Sequence, residues 1–479
     1  MEYEAILKEN AEYTADTLAQ IASGVDTEEG NLVVFWPNST EAAGAVYFTD
    51  DAVKGEPVSV KAVSSDSEME NIYPVQKVCD GQYVFCPKEL PSKGYQSFEV
   101  NYEDVSGCVD SGIECGYEMQ KNTANVDNCS LSISAEVMEN DYIRLELNEK
   151  GQFSRMYDKK HDREILKPGT VGNVIMTYED RPHNYDAWDV NHYYMEKSWE
   201  ADDVQEIEVI ECGPVRGILR VKRNYLDSTI CQEITLYADS PRVDIRNVID
   251  WKEDHIFMKA LFPVDVHTNE ATFDIQFGNV KRPTHSNTTW DMARFEVCMH
   301  KWVDLSEDGY GVAMLNDCKY GCSVMDGVIG LSMLKCATDP NPDADKEIHE
   351  FTFSILPHEG DFREGNVISE AFALNNPAMA VKKVGNAGNM PAAASLASVD
   401  QPNVIIETVK MAEDDDAMIV RVYECYNRRT DAVLTLGAPI QEAYMCNLME
   451  EKDEEIAFSG NQISFKIKPY DILTFKVLV

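Results

Sequence analysis

Apolar and polar positions change period once along this chain, early on. Over residues 2–23, Tyr3, Ile6, Leu7, Thr14, Leu18 and Ile21 recur at helical spacing, and Gly24 stands where such a helix would stop. A helix with an apolar stripe needs another element to cover it, so a single one opening the chain predicts a packing partner. From Asn31 onward the pattern is that of strands. Leu32–Trp36 is a short apolar run closed by Pro37 and Asn38, and residues 39–128 hold brief apolar runs broken by Gly, Pro, Asp and Ser. Farther on the alternation has period two. Ile143, Leu145 and Leu147 alternate with Arg144 and Glu146, and Ile230, Gln232, Ile234 and Leu236 alternate with Cys231, Glu233, Thr235 and Tyr237. Strands with one buried face over some 250 residues imply a large antiparallel sandwich.

These patterns predict a mainly β protein: one N-terminal helix (1–24), a small β-sandwich (30–128), a large antiparallel β-sandwich (129–383) and a C-terminal β-domain (400–479). The polar stretch 121–130 reads as a linker, and 384–402, which is rich in small residues and bears prolines, as an excursion or linker. Neither an internal repeat nor a βαβ alternation is present. At 479 residues the chain is too long for one ordinary core.

Composition narrows the function classes. With 84 acidic against 42 basic residues the formal charge is −42, which argues against nucleic acid and anionic membranes as partners. No run is long enough to span a bilayer and no signal peptide is visible. The 13 scattered cysteines, odd in number, predict reduced thiols and a cytoplasmic protein. The glycosylation-type triplets at Asn38, Asn128 and Asn287 then count as chance matches.

Two segments break the strand pattern with a density of polar and aromatic groups. One is YEDRPHNYDAWDVNHYY, residues 178–194, with Asp186, Trp188 and Asp189. The other is RPTHSNTTWDMARFEVCMHKWVDLSE, residues 282–307, with Arg282, His285, Asn287, Trp290 and Asp291, and a second grouping at His300–Lys301–Trp302. Indole faces suit the C–H groups of a pyranose, while Asp, Asn and Arg suit its hydroxyls. The competing reading is polar loops whose aromatics pin them to the sandwich. No metal motif accompanies them: there is no HExxH, and Cys318, Cys322 and Cys336 lack the paired spacing of a zinc site. No Gly-rich phosphate loop and no GxSxG elbow occurs. Carboxylates are plentiful, but none is singled out as a catalytic pair.

As whole strings, EDRPHNYDAWDV (179–190), VIDWKEDH (248–255), ATFDIQFGNVKRPTHSNTTWDMARFEV (271–297), HKWVDLSEDGYGVAMLNDCKYG (300–321), HEFTFSILPH (349–358) and VIIETVKMAEDDDAMIVRVYE (404–424) resemble glycoside hydrolase family 38, the α-mannosidases, in particular its bacterial and cytosolic branch. The resemblance covers nearly the whole chain. It implies a galactose-mutarotase-like supersandwich at 129–383, smaller β-domains around it, and residues 2–23 as the last helix of a helical bundle. It also implies that the full-length family binds zinc and hydrolyses terminal α-D-mannosyl residues with retention. The zinc site and nucleophile would come from an N-terminal barrel, with one more zinc-binding His from the helical bundle, and neither the barrel's His-x-Asp motif nor that bundle His has a counterpart here. On that resemblance no catalytic residue and no metal ligand is expected in this chain. Asp186, Trp188, Asp189, Arg282, His285, Asn287, Trp290 and Asp291 are expected to form a cleft rim or a barrel-docking surface. The expected partners are an α-mannoside or oligosaccharide and a catalytic barrel, in the same or a separate chain, with a homo-oligomer possible. The alternative is a stand-alone carbohydrate-binding or assembly subunit.

Overall fold

The computed structural model describes residues 2–40, 44–50, 55–63, 71–78, 80–103 and 131–479. The expected linker at 121–130, the triplet at Asn128 and the boundary at 128/129 fall outside them. Backbone packing divides the chain into two units, residues 119–375 and residues 1–118 with 376–479.

Among its described residues, the 119–375 unit is built from three antiparallel sheets. A nine-stranded sheet runs in the order Asp203–Cys212, Arg216–Tyr225, Ser228–Tyr237, Val243–Asp250, Ile348–Glu359, Tyr310–Asn316, Trp302–Glu307, Glu270–Ile275, Gly278–Pro283. A six-stranded sheet has Val174–Glu179, Ile256–Pro263 and Val328–Lys335 side by side in its middle, and a five-stranded sheet spans Ser132 to Glu164. Alternation decides what each strand buries. Ile143, Leu145 and Leu147 point inward, as do Ile230, Ile234 and Leu236, and all six join one core with Phe153, Met258, Phe262 and Phe353. Gln232 shares that inward face yet is polar. It is fully buried and bonded to Asn173, Asn247 and the Arg223 guanidinium. Every such group needs a partner once water is excluded, and these supply one another.

The other unit begins with α1, Glu2–Gly24. Only its C-terminal third is covered: Leu18, Ile21 and Ala22 pack against Val33, Phe35, Tyr95, Val381 and Met390. Tyr3, Ile6, Leu7 and Tyr13 are exposed. The last turn of α1 carries no basic residue of its own. The buried Lys383 donates its ammonium to the Ser23 carbonyl there, a cation where the helix dipole favours one. Strand Met379–Lys382 pairs with Leu32–Trp36, so these residues, assigned from sequence to the large domain ending at 383, contribute to the small sheet. The segment 384–402, read as an excursion or linker, contains strands Ala393–Ser395 and Ala397–Val399, which pair with Gly94–Tyr102 and Thr430–Leu436. Its small residues serve close backbone approach. A Cβ on Gly94 would lie 2.1 Å from the Ala394 carbonyl oxygen. The remaining strands, Val404 to Leu478, form a second β core around Ile406, Val420, Leu434, Ile463 and Phe475.

Candidate functional site

All eight candidate residues lie in the 119–375 unit. Loop 180–189 leaves the six-stranded sheet at the end of Val174–Glu179, where Ile256–Pro263 begins and Val328–Lys335 ends. The Asp180 amide donates to the His255 carbonyl (2.7 Å), and the His255 amide donates to the Cys336 carbonyl (2.8 Å). The Asp180 carboxylate pairs with the Lys335 ammonium. Burial raises the Asp180 pKa, and Lys335 opposes that rise. Asp186 Oδ2 accepts from the amides of Thr338 (2.7 Å) and Asp339 (3.3 Å), and its Oδ1 lies 3.5 Å from His255 Nδ1. Burial pushes the Asp186 carboxyl up, but the Thr338 amide and His255 outweigh it and hold the pKa below its ordinary value. Asp186 is therefore a strut between two loops through its Oδ2. Trp188 is 74% exposed, with Tyr185 beside it at 6.5 Å between ring centroids, and Asp189 is exposed too.

The second segment is organised differently. Arg282 is the penultimate residue of an edge strand of the nine-stranded sheet, with its guanidinium 4.6 Å from the Phe273 ring centroid. Burial lowers its pKa. After the exposed Asn287, α2 (Thr289–Met292) is capped reciprocally. The Asp291 amide donates to Thr288 Oγ1 (3.2 Å), and the Thr288 amide donates to Asp291 Oδ2 (3.2 Å). His285 Nδ1 lies 3.7 Å from the same carboxylate. Trp290, on this turn, is 77% exposed. Trp302 differs from the sugar-facing indole its spacing suggested. It is buried and stacked on Phe362 with ring centroids 5.0 Å apart, on the strand face opposite to Val303 and Leu305, which point into the large core. Lys301 lies over Phe372, and His300 stacks on Tyr320.

The structure joins the two segments, but through residues the sequence did not single out. Phe257 and Lys259 point to the outer face of the six-stranded sheet, while Met258 and Ala260 point into the core. On that outer face Tyr178, Tyr194, Val190, Phe257 and Phe295 make a small apolar cluster. Beside it Glu296 accepts from Tyr194 Oη (2.7 Å), Ser332 Oγ (2.8 Å) and the Lys259 ammonium. Lys259 also donates to Ser323 Oγ (2.8 Å), and its side chain is 1% exposed. Gly330 leaves room for the lysine, since a Cβ there would lie 3.0 Å from Lys259 Cε. Burial and Glu296 raise the Tyr194 pKa, and they push Tyr178 up to about 12. A signal for this network was present. Lys259 stands in IFMKALFP, a strand apolar on both faces, and a lysine there must find a buried anion.

Among the described residues, no group of three or more His, Cys, Asp or Glu side chains is placed to hold a metal ion. Cys322 and Cys336 are buried thiols, each pushed up to about 12 by burial. The described donors do not fit the zinc that the family resemblance implies.

Comparison with known proteins agrees with this architecture. Residues 138–343 match the glycosyl hydrolases family 38 C-terminal domain, and residues 403–475 match the family's C-terminal beta sandwich domain. Human alpha-mannosidase 2C1 is 36% identical over 353 residues, 71% of this chain and 33% of that protein. Alpha-mannosidase G of Dictyostelium discoideum is 31% identical over 401 residues, 81% of this chain and 36% of that protein. The chain thus spans about a third of the length of these relatives. The crystal structure of an alpha-mannosidase from Enterococcus faecalis V583 superimposes with a TM-score of 0.70 at 15% identity, covering 96% of this chain and 58% of that one, a likeness of fold. With matched domains, relatives and fold in agreement, this chain is a C-terminal, mainly β portion of glycosyl hydrolase family 38.

Proposed function

We propose that the chain serves an α-mannosidase as scaffold and cleft rim and does not hydrolyse α-mannosides alone. The observation that carries this reading is the alignment with human alpha-mannosidase 2C1, 71% of this chain against 33% of that protein. In the proposed assembly a separate catalytic portion, bearing the family's zinc, acts on terminal α-mannosyl residues of an oligosaccharide. The exposed indoles of Trp188 and Trp290, with Asp189, Asn287 and His285, form the rim. They orient a pyranose by ring contact and hydrogen bonding rather than by making or breaking bonds. Tyr185, Tyr193 and Met292 are exposed in the same two segments, and Met195 and Trp199 just after the first of them, which supports docking of a further polypeptide there. A cytoplasmic location belongs to the same reading, supported by the free thiols of Cys231, Cys298, Cys318, Cys322, Cys336 and Cys446.

Calorimetric titration of the chain with mannose and α-mannobiose tests the rim role. Half a site predicts no saturable heat at millimolar sugar. Saturable binding would favour the stand-alone carbohydrate-binding module instead.

A further inference from the structure

We infer that Glu296 is a positioning residue that holds the Trp188 loop and the Trp290 turn in one fixed register, making them a single composite surface. Trp188 lies two residues before Val190, which packs in the outer-face cluster with Tyr194, itself on the short helical turn His192–Glu196. Trp290 lies on the capped turn that leads into Phe295 and Glu296. The two segments meet where Phe295 approaches Tyr194 and His192, at 6.3 Å between ring centroids in each case, and where Tyr194 donates its hydroxyl to Glu296. Glu296 is itself fixed to the sheet by Lys259 and Ser332, on neighbouring strands. A carboxylate with three donors and a side-chain exposure of 13% has little freedom to move. Asp291 fixes the turn internally and Asp186 ties the loop to Thr338 and Asp339; Glu296 fixes one segment relative to the other.

The use of this surface rests on the cleft-rim reading, but the coupling is measurable without any sugar. The chain labelled with 5-fluorotryptophan gives fluorine resonances for its six tryptophans, assigned by single Trp→Phe variants. In Tyr194→Phe, the Trp188 and Trp290 resonances should shift or broaden together while buried Trp36 and Trp302 stay in place. Glu296→Gln, which keeps one acceptor oxygen for the Tyr194 hydroxyl, should give a smaller change of the same pattern. If Tyr194→Phe disturbs only one of the two exposed tryptophans, neither, or all six, the coupling is wrong. Failure of sugar binding would overturn the rim and leave the coupling standing.

Discussion

Loop 180–189 and turn 282–291 carry similar residues, yet they are held in opposite ways. In the loop, the Asp186 carboxylate reaches across 152 positions to the amide of Thr338. In the turn, the Asp291 carboxylate reaches back three positions to its own N-cap. One acid ties distant chain segments together; the other closes a single helical turn. Each leaves a tryptophan exposed beside it. Residue type alone does not separate a ligand-binding carboxylate from a structural one. The deciding quantity is how many backbone amides already claim its oxygens.

The largest test removes what joins the two segments. Lys259→Met strands Glu296 without its cation and should lower unfolding stability by about 3–5 kcal/mol in urea titration. Replacing both partners, Lys259→Met with Glu296→Leu, should recover much of that loss. A loss in the double variant equal to that in the single would mean that packing, not charge, dominates the site.

Asp186→Ala leaves the Thr338 and Asp339 amides without an acceptor and should cost about 1–3 kcal/mol. Limited proteolysis should then cut both the 180–189 loop and the segment after Thr338. Thr288→Ala removes a cap worth about 0.5–2 kcal/mol, but its effect should stay local. Cleavage is expected near residues 288–292 with a smaller change in the unfolding midpoint than Asp186→Ala produces. Equal midpoint shifts would erase the contrast between tether and self-cap.

A finer distinction comes from pH. The 282–307 segment is also anchored by Asp274, whose Oδ2 accepts from the Lys301 amide at 2.8 Å. Burial pushes this carboxyl up to about 6 from an ordinary 3.8, against the pull of the Lys301 amide and charge. A raised carboxyl pKa contributes stability that is fully present below about 3.8 and is lost as pH rises through about 6. Asp186 shifts the other way. Its contribution is present above 3.8 and is lost only as pH falls through its depressed pKa. Between pH 7 and pH 4.5 the stability of wild type relative to Asp274→Asn should therefore rise, while its margin over Asp186→Asn stays nearly constant. Chemical denaturation across that range checks both.

The parts of the fold legible in the sequence were those in which one residue reports one face. Ile143, Leu145 and Leu147, or Ile230, Ile234 and Leu236, announce their burial by alternation alone, and Gly24 marks the end of α1. What escaped depends on partners far away in the chain. Small residues at 384–402 suggested a linker because Gly94, against which Ala394 packs, is some 300 positions earlier. Trp302 has the same side chain as Trp188 and Trp290 and differs in being covered by Phe362, from a later segment of the chain. The Lys259–Glu296 pair was hidden for a related reason. The sequence shows that a buried lysine needs an anion, but the pairing of Ile256–Pro263 with Val328–Lys335 and the return of Phe295 over that sheet decide which.

The most direct test of the account is turnover by the chain itself. Purified chain, supplied with zinc or cobalt, is assayed on an aryl α-mannoside and its bound metal is measured. The account predicts no hydrolysis above background and no stoichiometric metal; robust turnover that disappears on removing the metal would contradict it.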